Sequence, residues 1–320
     1  MKPERQPTPD QPAPQRAVAN AIAIVAAAVR EPRLRPTVKA FFDGASNTVS
    51  YVVHDPASFA CAIIDSVLDF NAASGKTATR SAQVLVDYIR LHGLKTAWLL
   101  ETHVHADHLS AAPWLHAQLG GTLAIGRGIV EVQKLFATVF NAEAEFARDG
   151  SQFDRLFDDG DAFELGALAG CVLSVPGHTP ACSAYVIGDA IFLGDTLFMP
   201  DYGTARCDFP GGSASVLYQS VQRVFALPEA GRTFACHDYL APGRENYAWE
   251  SSIGAQRAAN VHVHSGITES TFVAMRLARD ATLSMPKLLL PAVQVNMRAG
   301  HLPPPEANGT RYLKLPLNLF

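Results

Sequence analysis

The sequence has few of the features that mark exported, membrane-spanning or nucleic-acid-binding proteins. Its five cysteines are an odd number and show no CxxC spacing, which argues against a disulfide framework and favours a reducing compartment, so we predict a cytoplasmic location. Lysine and arginine form no run, and the formal net charge is −4, so no basic footprint for nucleic acid is present. The uncharged stretch at residues 17–29 has thirteen residues, whereas a membrane span needs about 20. We therefore expect neither a nucleic-acid partner nor a membrane.

Composition sets the N-terminal region apart from the rest. Residues 1–15 are rich in proline and glutamine and are expected to be disordered, and residues 17–29 predict an alanine-rich helix that packs on the domain or on a partner subunit. A secretory signal is the alternative, but Glu4, Asp10 and several prolines disfavour it. We interpret residues 1–35 as an extension and residues 36–320 as one domain with a helical, then extended, tail. The apolar stretches 17–29 and 313–320 suit a subunit interface, so we expect a homodimer.

Short β-rich runs occur in two groups, and each group is accompanied by helical patterns. The predicted strands are residues 48–53, 60–65, 96–100, 122–125, 162–165, 171–175, 184–187, 190–193 and 233–236. The predicted helices are residues 79–91, 109–119 and 213–227 together with most of 253–280, and residues 286–320 are expected to be extended. Two β-rich halves with flanking helices predict an α+β fold, an αββα sandwich in a single domain.

The densest chemical signal lies directly after the predicted strand 96–100. Within six positions stand His103, His105, Asp107 and His108. Residues two apart face different sides of a helix, so His103 and His105 can converge on one ion only from a loop. Imidazole and carboxylate are the usual ligands of zinc and iron, so the segment predicts a metal site.

Three further candidates, His178, Asp195 and His237, each follow a predicted strand. Strand ends on one rim of a sandwich can bring remote residues onto a common centre. Gly177 and Gly194 permit the tight turns that direct two of these side chains. The joint occurrence of the three positions extends the predicted metal site.

This ordered series of seven residues resembles the ligand series of the metallo-β-lactamase superfamily, whose fold is the αββα sandwich. The flanking sequences Ser174-Val-Pro-Gly-His-Thr-Pro-Ala-Cys182, Gly194-Asp-Thr-Leu, Arg206-Cys-Asp-Phe209, His237-Asp-Tyr239 and Val295-Asn-Met-Arg-Ala-Gly300 resemble one branch, the persulfide (sulfur) dioxygenases, which are related to glyoxalase II. The resemblance implies one Fe(II) per chain, held by His103, His178 and Asp195. Two histidines and one carboxylate leave open positions on an octahedral Fe(II).

The same resemblance implies a reaction and roles for other residues. The expected activity is oxidation of glutathione persulfide, or a similar thiol persulfide, with O2 to sulfite and thiol, in sulfide detoxification. The expected substrate contacts are Arg206 and Tyr239. The expected catalytic residues are Tyr239, His237 and Asp107, and the residues expected to support the ligands or to hold a second metal are His105, Asp107, His108 and His237.

Two alternatives stay open at this point. All positions of a two-zinc site are present, with His103, His105 and His178 at one ion, Asp107, His108 and His237 at the other, and Asp195 bridging. Such a site would activate water against a thioester, as in glyoxalase II. The other alternative is a metal-binding regulatory or scaffold module without catalysis.

Overall fold

The computed structural model describes residues 13–319. The strands of this part of the chain are β1 Thr37–Asp43, β2 Thr48–His54, β3 Ala60–Ile64, β4 Val67–Asn71, β5 Lys76–Ala78, β6 Lys95–Leu100, β7 Leu109–Ser110, β8 Thr122–Gly126, β9 Arg155–Phe157, β10 Ala162–Leu165, β11 Leu168–Ser174, β12 Ser183–Ile187, β13 Ala190–Phe192, β14 Arg232–Phe234 and β15 Glu250–Ser252. The α-helices are α1 Ala13–Arg30, α2 Arg80–Leu91, α3 Ala112–Leu119, α4 Ile129–Val139, α5 Ala214–Phe225, α6 Ile253–Ala259, α7 Glu269–Asp280 and α8 Leu289–Asn296.

Two six-stranded sheets form the centre of the molecule. The first has the order β1-β2-β3-β6-β8-β9 and is antiparallel from β1 to β3 and parallel from β3 to β9. The second has the order β10-β11-β12-β13-β14-β15, with β13 and β14 as its parallel pair. A small sheet, β5-β4-β7, lies beside the first and receives the end of the histidine-rich segment.

Successive side chains of a strand point to opposite faces of its sheet, so each sheet can pack on the other sheet with one face and on helices with the other. On β2, Val49, Tyr51 and Val53 point into the layer between the two sheets, while Val52 points to the helices on the outer face. Helices α2, α3, α4 and α8 cover the first sheet, and helices α1, α5, α6 and α7 cover the second. This arrangement is the αββα sandwich of the metallo-β-lactamase fold and confirms the predicted fold class.

Helix α1 belongs to the outer layer over the second sheet. Its residues Ala17, Ala21, Val25 and Ala28 recur at helical spacing and are buried against β11 and its neighbours. The expected disorder of residues 1–15 is wrong at residues 13–15, which begin α1, and residues 1–12 lie outside the described part. Within residues 13–319, no helix is both long and apolar enough to cross a membrane.

Two predicted elements differ in the structure. The helix predicted at residues 109–119 begins only at Ala112, because Leu109 and Ser110 pair with β4 as strand β7. The segment 286–320, predicted as extended, contains α8. Pro291 is the third residue of that helix, where a backbone N–H has no intrahelical partner in any case, so the proline does not prevent the helix.

Candidate metal centre

The carboxyl ends of β3, β6, β11, β13 and β14 lie at one rim of the sandwich, and the histidine-rich segment leaves β6 there as a loop. Asp65, which follows β3, accepts two hydrogen bonds from Thr102, one from its N–H and one from its hydroxyl, each 2.8 Å long. Asp65 Oδ1 also lies 3.0 Å from His105 Nε2. Asp65 therefore fixes both the start of the loop and the orientation of the His105 ring.

Asn296, the last residue of α8, anchors the same loop from the C-terminal part of the chain. Its Nδ2 donates to the carbonyl oxygens of His105, at 2.9 Å, and of His108, at 2.8 Å. Its Oδ1 accepts a 2.8 Å hydrogen bond from the Ser110 N–H. These backbone groups are buried and need partners, so Asn296 supplies what regular secondary structure supplies elsewhere. The sequence alone does not reveal this role.

The three residues expected to bind iron converge. His178 Nε2 lies 3.6 Å, and His103 Nε2 3.9 Å, from Asp195 Oδ2, and all three side chains are buried. One potential ligand atom of each residue lies within 4.8 Å of the other two. The three side chains therefore offer two imidazole nitrogens and one carboxylate oxygen to a common point, which is the donor set of a metal site.

Two glycines allow this convergence, as the sequence predicts. Gly177 has φ 139° and Gly194 has φ 52°, both in the region that L side chains rarely adopt. A Cβ on Gly177 would lie 2.4 Å from the backbone of Leu217, and a Cβ on Gly194 would lie 2.6 Å from the hydroxyl of Thr102. Neither position can take a larger residue without moving the ligand that follows it.

A second set of side chains lies beside the first. His237 Nε2 is 3.3 Å from Asp195 Oδ1 and 3.6 Å from Asp107 Oδ2. The hydroxyl of Thr48 donates to Asp107 Oδ2 over 3.1 Å, and His108 Nδ1 lies 3.2 Å from the same oxygen. Asp195 therefore directs one carboxylate oxygen towards each set.

Several buried polar atoms of this cluster have no hydrogen-bond partner among residues 13–319. They are His105 Nδ1, His108 Nε2, Asp195 Oδ1 and His237 Nε2. A buried imidazole nitrogen or carboxylate oxygen without a partner is costly, and nitrogen and oxygen donors of this kind suit iron or zinc. The donor set therefore fits a bound metal.

The pKa values of His103 and His105, which both follow β6, are shifted in opposite directions. Burial, and after it the neighbouring His105 and His178, lower the pKa of His103 well below its ordinary value, so His103 is in the neutral form that binds metals. For His105, burial alone would lower the pKa, but the carboxylates of Asp65 and Glu101 raise it to about 9. Glu101 Oε2 lies 3.5 Å from His105 Nε2, and burial raises the pKa of Glu101 to about 8.

A cavity of about 720 Å³ reaches the cluster from the surface. Asp107, His178 and Asp195 lie in its inner wall, and Arg206 and Tyr239 also line it. The Tyr239 ring stacks beside His237, with centroids 5.5 Å apart, and remains 39 % exposed. Desolvation, and then the carboxylates of Asp195 and Asp107, raise the pKa of Tyr239 well above its ordinary value, so its hydroxyl is a proton donor at neutral pH.

Arg206 lies in the cavity wall with most of its donors in use. Its Nε and Nη2 bind the carboxylate of Asp208 over 2.5 Å each, and its Nη1 donates to the carbonyl oxygen of Ser284 over 2.7 Å. The neighbouring Cys207 is buried, and burial raises the pKa of its thiol to about 12. Cys207 is therefore a packing residue rather than a reactive thiol.

Comparison with known proteins places this site in a family. The profile of the metallo-beta-lactamase superfamily matches residues 44–235, which is more than half of the chain. The chain belongs to the metallo-beta-lactamase superfamily. The cluster of histidine and aspartate side chains is thus a superfamily metal site, and the chain is an enzyme that acts on a small molecule.

Relatives within the superfamily carry different names. A probable metallo-hydrolase of Burkholderia pseudomallei is 56 % identical over 292 residues, which cover 88 % of this chain and 99 % of the relative. Glyoxylase B2 of Dictyostelium discoideum is 47 % identical over 283 residues, covering 88 % and 97 %. The mitochondrial persulfide dioxygenase ETHE1 of Bos taurus is 29 % identical over 271 residues, covering 84 % and 90 %.

A solved structure supports the same assignment. The crystal structure of ETHE1 from Myxococcus xanthus matches with a TM-score of 0.65 at 28 % identity, and the match covers 83 % of this chain and all of that one. The resemblance to the ETHE1 persulfide dioxygenases that the sequence motifs predict is therefore confirmed as a relationship of fold and sequence.

Proposed function

We propose that the protein is a non-haem iron persulfide dioxygenase with one Fe(II) per chain, bound by His103, His178 and Asp195. The observation that carries the proposal is the convergence of these three buried side chains at the inner end of the cavity. Two histidines and one carboxylate form the ligand set typical of non-haem iron oxygenases, which keep positions open for substrate and O2. The similarity to two ETHE1 proteins, one of them named a persulfide dioxygenase, supports the same chemistry.

The overall reaction is RSSH + O2 + H2O → RSH + H2SO3, with glutathione persulfide or a similar thiol persulfide as substrate. Fe(II) held by His103, His178 and Asp195 would supply the one-electron chemistry that lets O2 react with the persulfide sulfur. The protein contributes a closed site, since the expected ligands are buried while the cavity admits a small thiol.

Residues around the cavity would orient the substrate. The Tyr239 hydroxyl is protonated and can donate a hydrogen bond to the bound persulfide. Asp208 and Ser284 take one N–H from each of the three nitrogens of Arg206, and its two remaining N–H groups would contact the thiol carrier. We assign Asp107 and His237, whose Oδ2 and Nε2 atoms are 3.6 Å apart, to holding a water molecule beside the reacting sulfur.

The remaining polar residues would hold the ligands in place. His105 is bound through Nε2 by Asp65, and His108 lies against Asp107 and the hydroxyl of Thr48. In this proposal both histidines support the loop and leave the iron with three protein ligands. We further propose a role in sulfide detoxification, a cytoplasmic location, and assembly as a homodimer through the apolar ends of the chain.

A specific observation favours a second candidate, a two-zinc thioester hydrolase. The unpartnered atoms fit two ions: His105 Nδ1 would bind the ion shared with His103 and His178, and His108 Nε2 and His237 Nε2 would bind the second ion with Asp107, while Asp195 bridges the two. The relatives at 56 % and 47 % identity also carry the names of a metallo-hydrolase and a glyoxylase. Two zinc ions would activate water for attack on a thioester carbonyl.

The two candidates are separated by assaying one purified preparation with both substrates. With glutathione persulfide, the dioxygenase consumes one O2 for each sulfite formed, and it does not cleave S-lactoylglutathione. The hydrolase cleaves the thioester equally well without O2 and leaves O2 unchanged when the persulfide is added. Thioester cleavage without persulfide-dependent O2 uptake would refute the proposed dioxygenase activity.

A further inference from the structure

We propose that Asp280, held by Arg276, is a positioning residue for His178 and sets how tightly the metal is retained. Both residues lie on α7. Arg276 is among the residues around the cavity, but it is 1 % exposed and all three of its side-chain nitrogens bind Asp280 or Thr204, so neither residue has an assigned role in the reaction. The role rests on the proposed function, because it takes His178 as a metal ligand. Asp280 acts on His178 through the peptide group between Arg206 and Cys207, which lies in the loop between β13 and α5.

The first step is the hydrogen bond that orients His178. Its Nδ1–H donates to the carbonyl oxygen of Arg206 over 2.8 Å. Protonation at Nδ1 leaves Nε2 unprotonated, and Nε2 is the atom that lies 3.6 Å from Asp195 Oδ2. A metal-binding histidine is regularly fixed in this way by an acceptor on its other ring nitrogen.

The second step is the other end of the same peptide group. The N–H of Cys207 belongs to the planar unit that carries the Arg206 carbonyl, and it donates to Asp280 Oδ2 over 2.9 Å. In a trans peptide the N–H and C=O point in opposite directions, so a carboxylate at one end aims the carbonyl at the imidazole on the other. The bond to a charged acceptor also polarises the peptide and strengthens the bond from His178.

The third step is the fixation of Asp280. Arg276 Nε and Nη2 both donate to Asp280 Oδ1, over 2.9 Å and 2.5 Å, which leaves Oδ2 for the peptide N–H. Arg276 Nη1 also reaches the carbonyl oxygen of Thr204 in the same loop, at 3.2 Å. Both charged side chains are buried, at 1 % and 5 % exposure.

A buried ion pair is weak evidence for a stabilising role, because desolvation offsets most of the attraction between the charges. Here the Arg276–Asp280 pair orients a peptide group of the neighbouring loop. The loop between β13 and α5 has almost no regular secondary structure around Arg206, so its peptide groups depend on side chains for their orientation. Helix α7 thereby fixes the Arg206 carbonyl that contacts His178, through a peptide N–H that lies 73 residues before Asp280 in the sequence.

The test measures metal affinity and the ligand field, using Co²⁺ alone as the probe in competition with a chelator. The Asp280→Ala variant should bind Co²⁺ about 10- to 100-fold more weakly than the wild type, with altered visible absorption bands, because the Arg206 carbonyl that orients His178 loses its fixation, and disturbing the partner of a ligand has effects of this size. The matched control is Asp189→Ala, since Asp189 is also buried and paired with an arginine, Arg232, at 2.8 Å, but lies directly before β13. The control should lose stability and keep its Co²⁺ affinity and spectrum.

A pair of double variants covers the case in which Asp280→Ala does not fold. Arg276→Met with Asp280→Asn removes both buried charges and keeps an acceptor for the Cys207 N–H, whereas Arg276→Met with Asp280→Leu has a similar volume and no acceptor. The first should bind Co²⁺ nearly as the wild type does, and the second about 10-fold or more weakly. Equal affinities in the two would overturn the positioning role, and so would equal losses in Asp280→Ala and Asp189→Ala. A wild type without persulfide-dependent O2 uptake would refute the proposed function and leave this result interpretable.

Discussion

The side-chain amide of Asn296 lies 2.9 Å from the carbonyl oxygen of His105, although 191 residues separate them in the sequence. The last helix of the chain therefore holds the loop that carries four of the seven candidate ligands. Because the same side chain also binds the backbone of His108 and Ser110, one residue anchors the loop at three backbone groups.

Replacing Asn296 by alanine should separate the loop from α8. Three buried backbone groups would lose their partners, so the free energy of unfolding should fall by about 1–3 kcal/mol or more, and iron affinity should fall with it. Gln294→Ala is the control, because Gln294 is also buried on α8 but binds Leu290 and Lys314 instead of the loop. Urea unfolding and metal titration of both variants provide the measurement. If the two variants bind iron equally well, Asn296 does not organise the site.

Alanine variants of His178 and His237 should differ in iron content, because only His178 is proposed as a metal ligand. His178→Ala should remove almost all iron, because one of three protein ligands is lost. His237→Ala should retain one iron per chain while losing activity, because in our proposal His237 holds water and not the metal. Metal analysis of the two folded variants decides this. Loss of iron in both would mean that His237 is a ligand.

Tyr239→Phe tests the proposed hydrogen bond to the substrate. One hydrogen bond to the reacting group is worth about 1–1.5 kcal/mol, so kcat/KM for glutathione persulfide should fall about 10-fold with unchanged iron content. Tyr247→Phe provides the comparison, since Tyr247 is exposed and its ring packs at a tilt against Phe42. Unaltered kinetics in Tyr239→Phe would exclude the assigned role.

His262 should make stability depend on pH in the acid range. Its Nδ1 accepts a 3.0 Å hydrogen bond from the Thr204 N–H, and burial, followed by the charges of Arg276 and Arg279, lowers its pKa from 6.5 to about 4. Between about pH 4 and pH 6.5, His262 is therefore protonated in the unfolded chain and mostly neutral in the folded protein. Stability from neutral His262 is therefore complete above pH 6.5 and is lost as the pH falls towards 4, by at most about 3 kcal/mol.

The His262→Asn variant keeps an acceptor for the Thr204 N–H and removes the titration. Urea unfolding of both proteins at about pH 7 and about pH 4.5, with excess chelator to eliminate metal effects, should show a smaller acid loss in the variant. A pH dependence identical in the two proteins would contradict the assigned pKa.

The parts of the site that the sequence predicts are those encoded locally. Short segments with a clear periodicity or a flexible backbone residue could be predicted. They include the strand before the histidine cluster, the cluster from His103 to His108, and Gly177 beside His178. The helix predicted at residues 109–119 is wrong at its start because pairing with β4, a tertiary contact, overrides the local pattern.

The residues that hold the metal-site loop and its ligands in place could not be predicted from the sequence. Asp65 and Asn296 act on the histidine loop from other parts of the chain, and Asp280 acts on His178 through the backbone of a third segment. An aspartate or asparagine at a strand or helix end is common, and only the folded arrangement shows which backbone group it contacts. Tertiary contacts of this kind leave no periodic pattern in the sequence.

The number and identity of the metal ions in protein isolated without added metal distinguish the dioxygenase from the hydrolase most directly. Elemental analysis of the folded chain should find one iron per chain and almost no zinc, because the proposed site has three protein ligands and leaves His105, His108 and His237 as supporting residues. Two zinc ions per chain would contradict the account and favour the hydrolase.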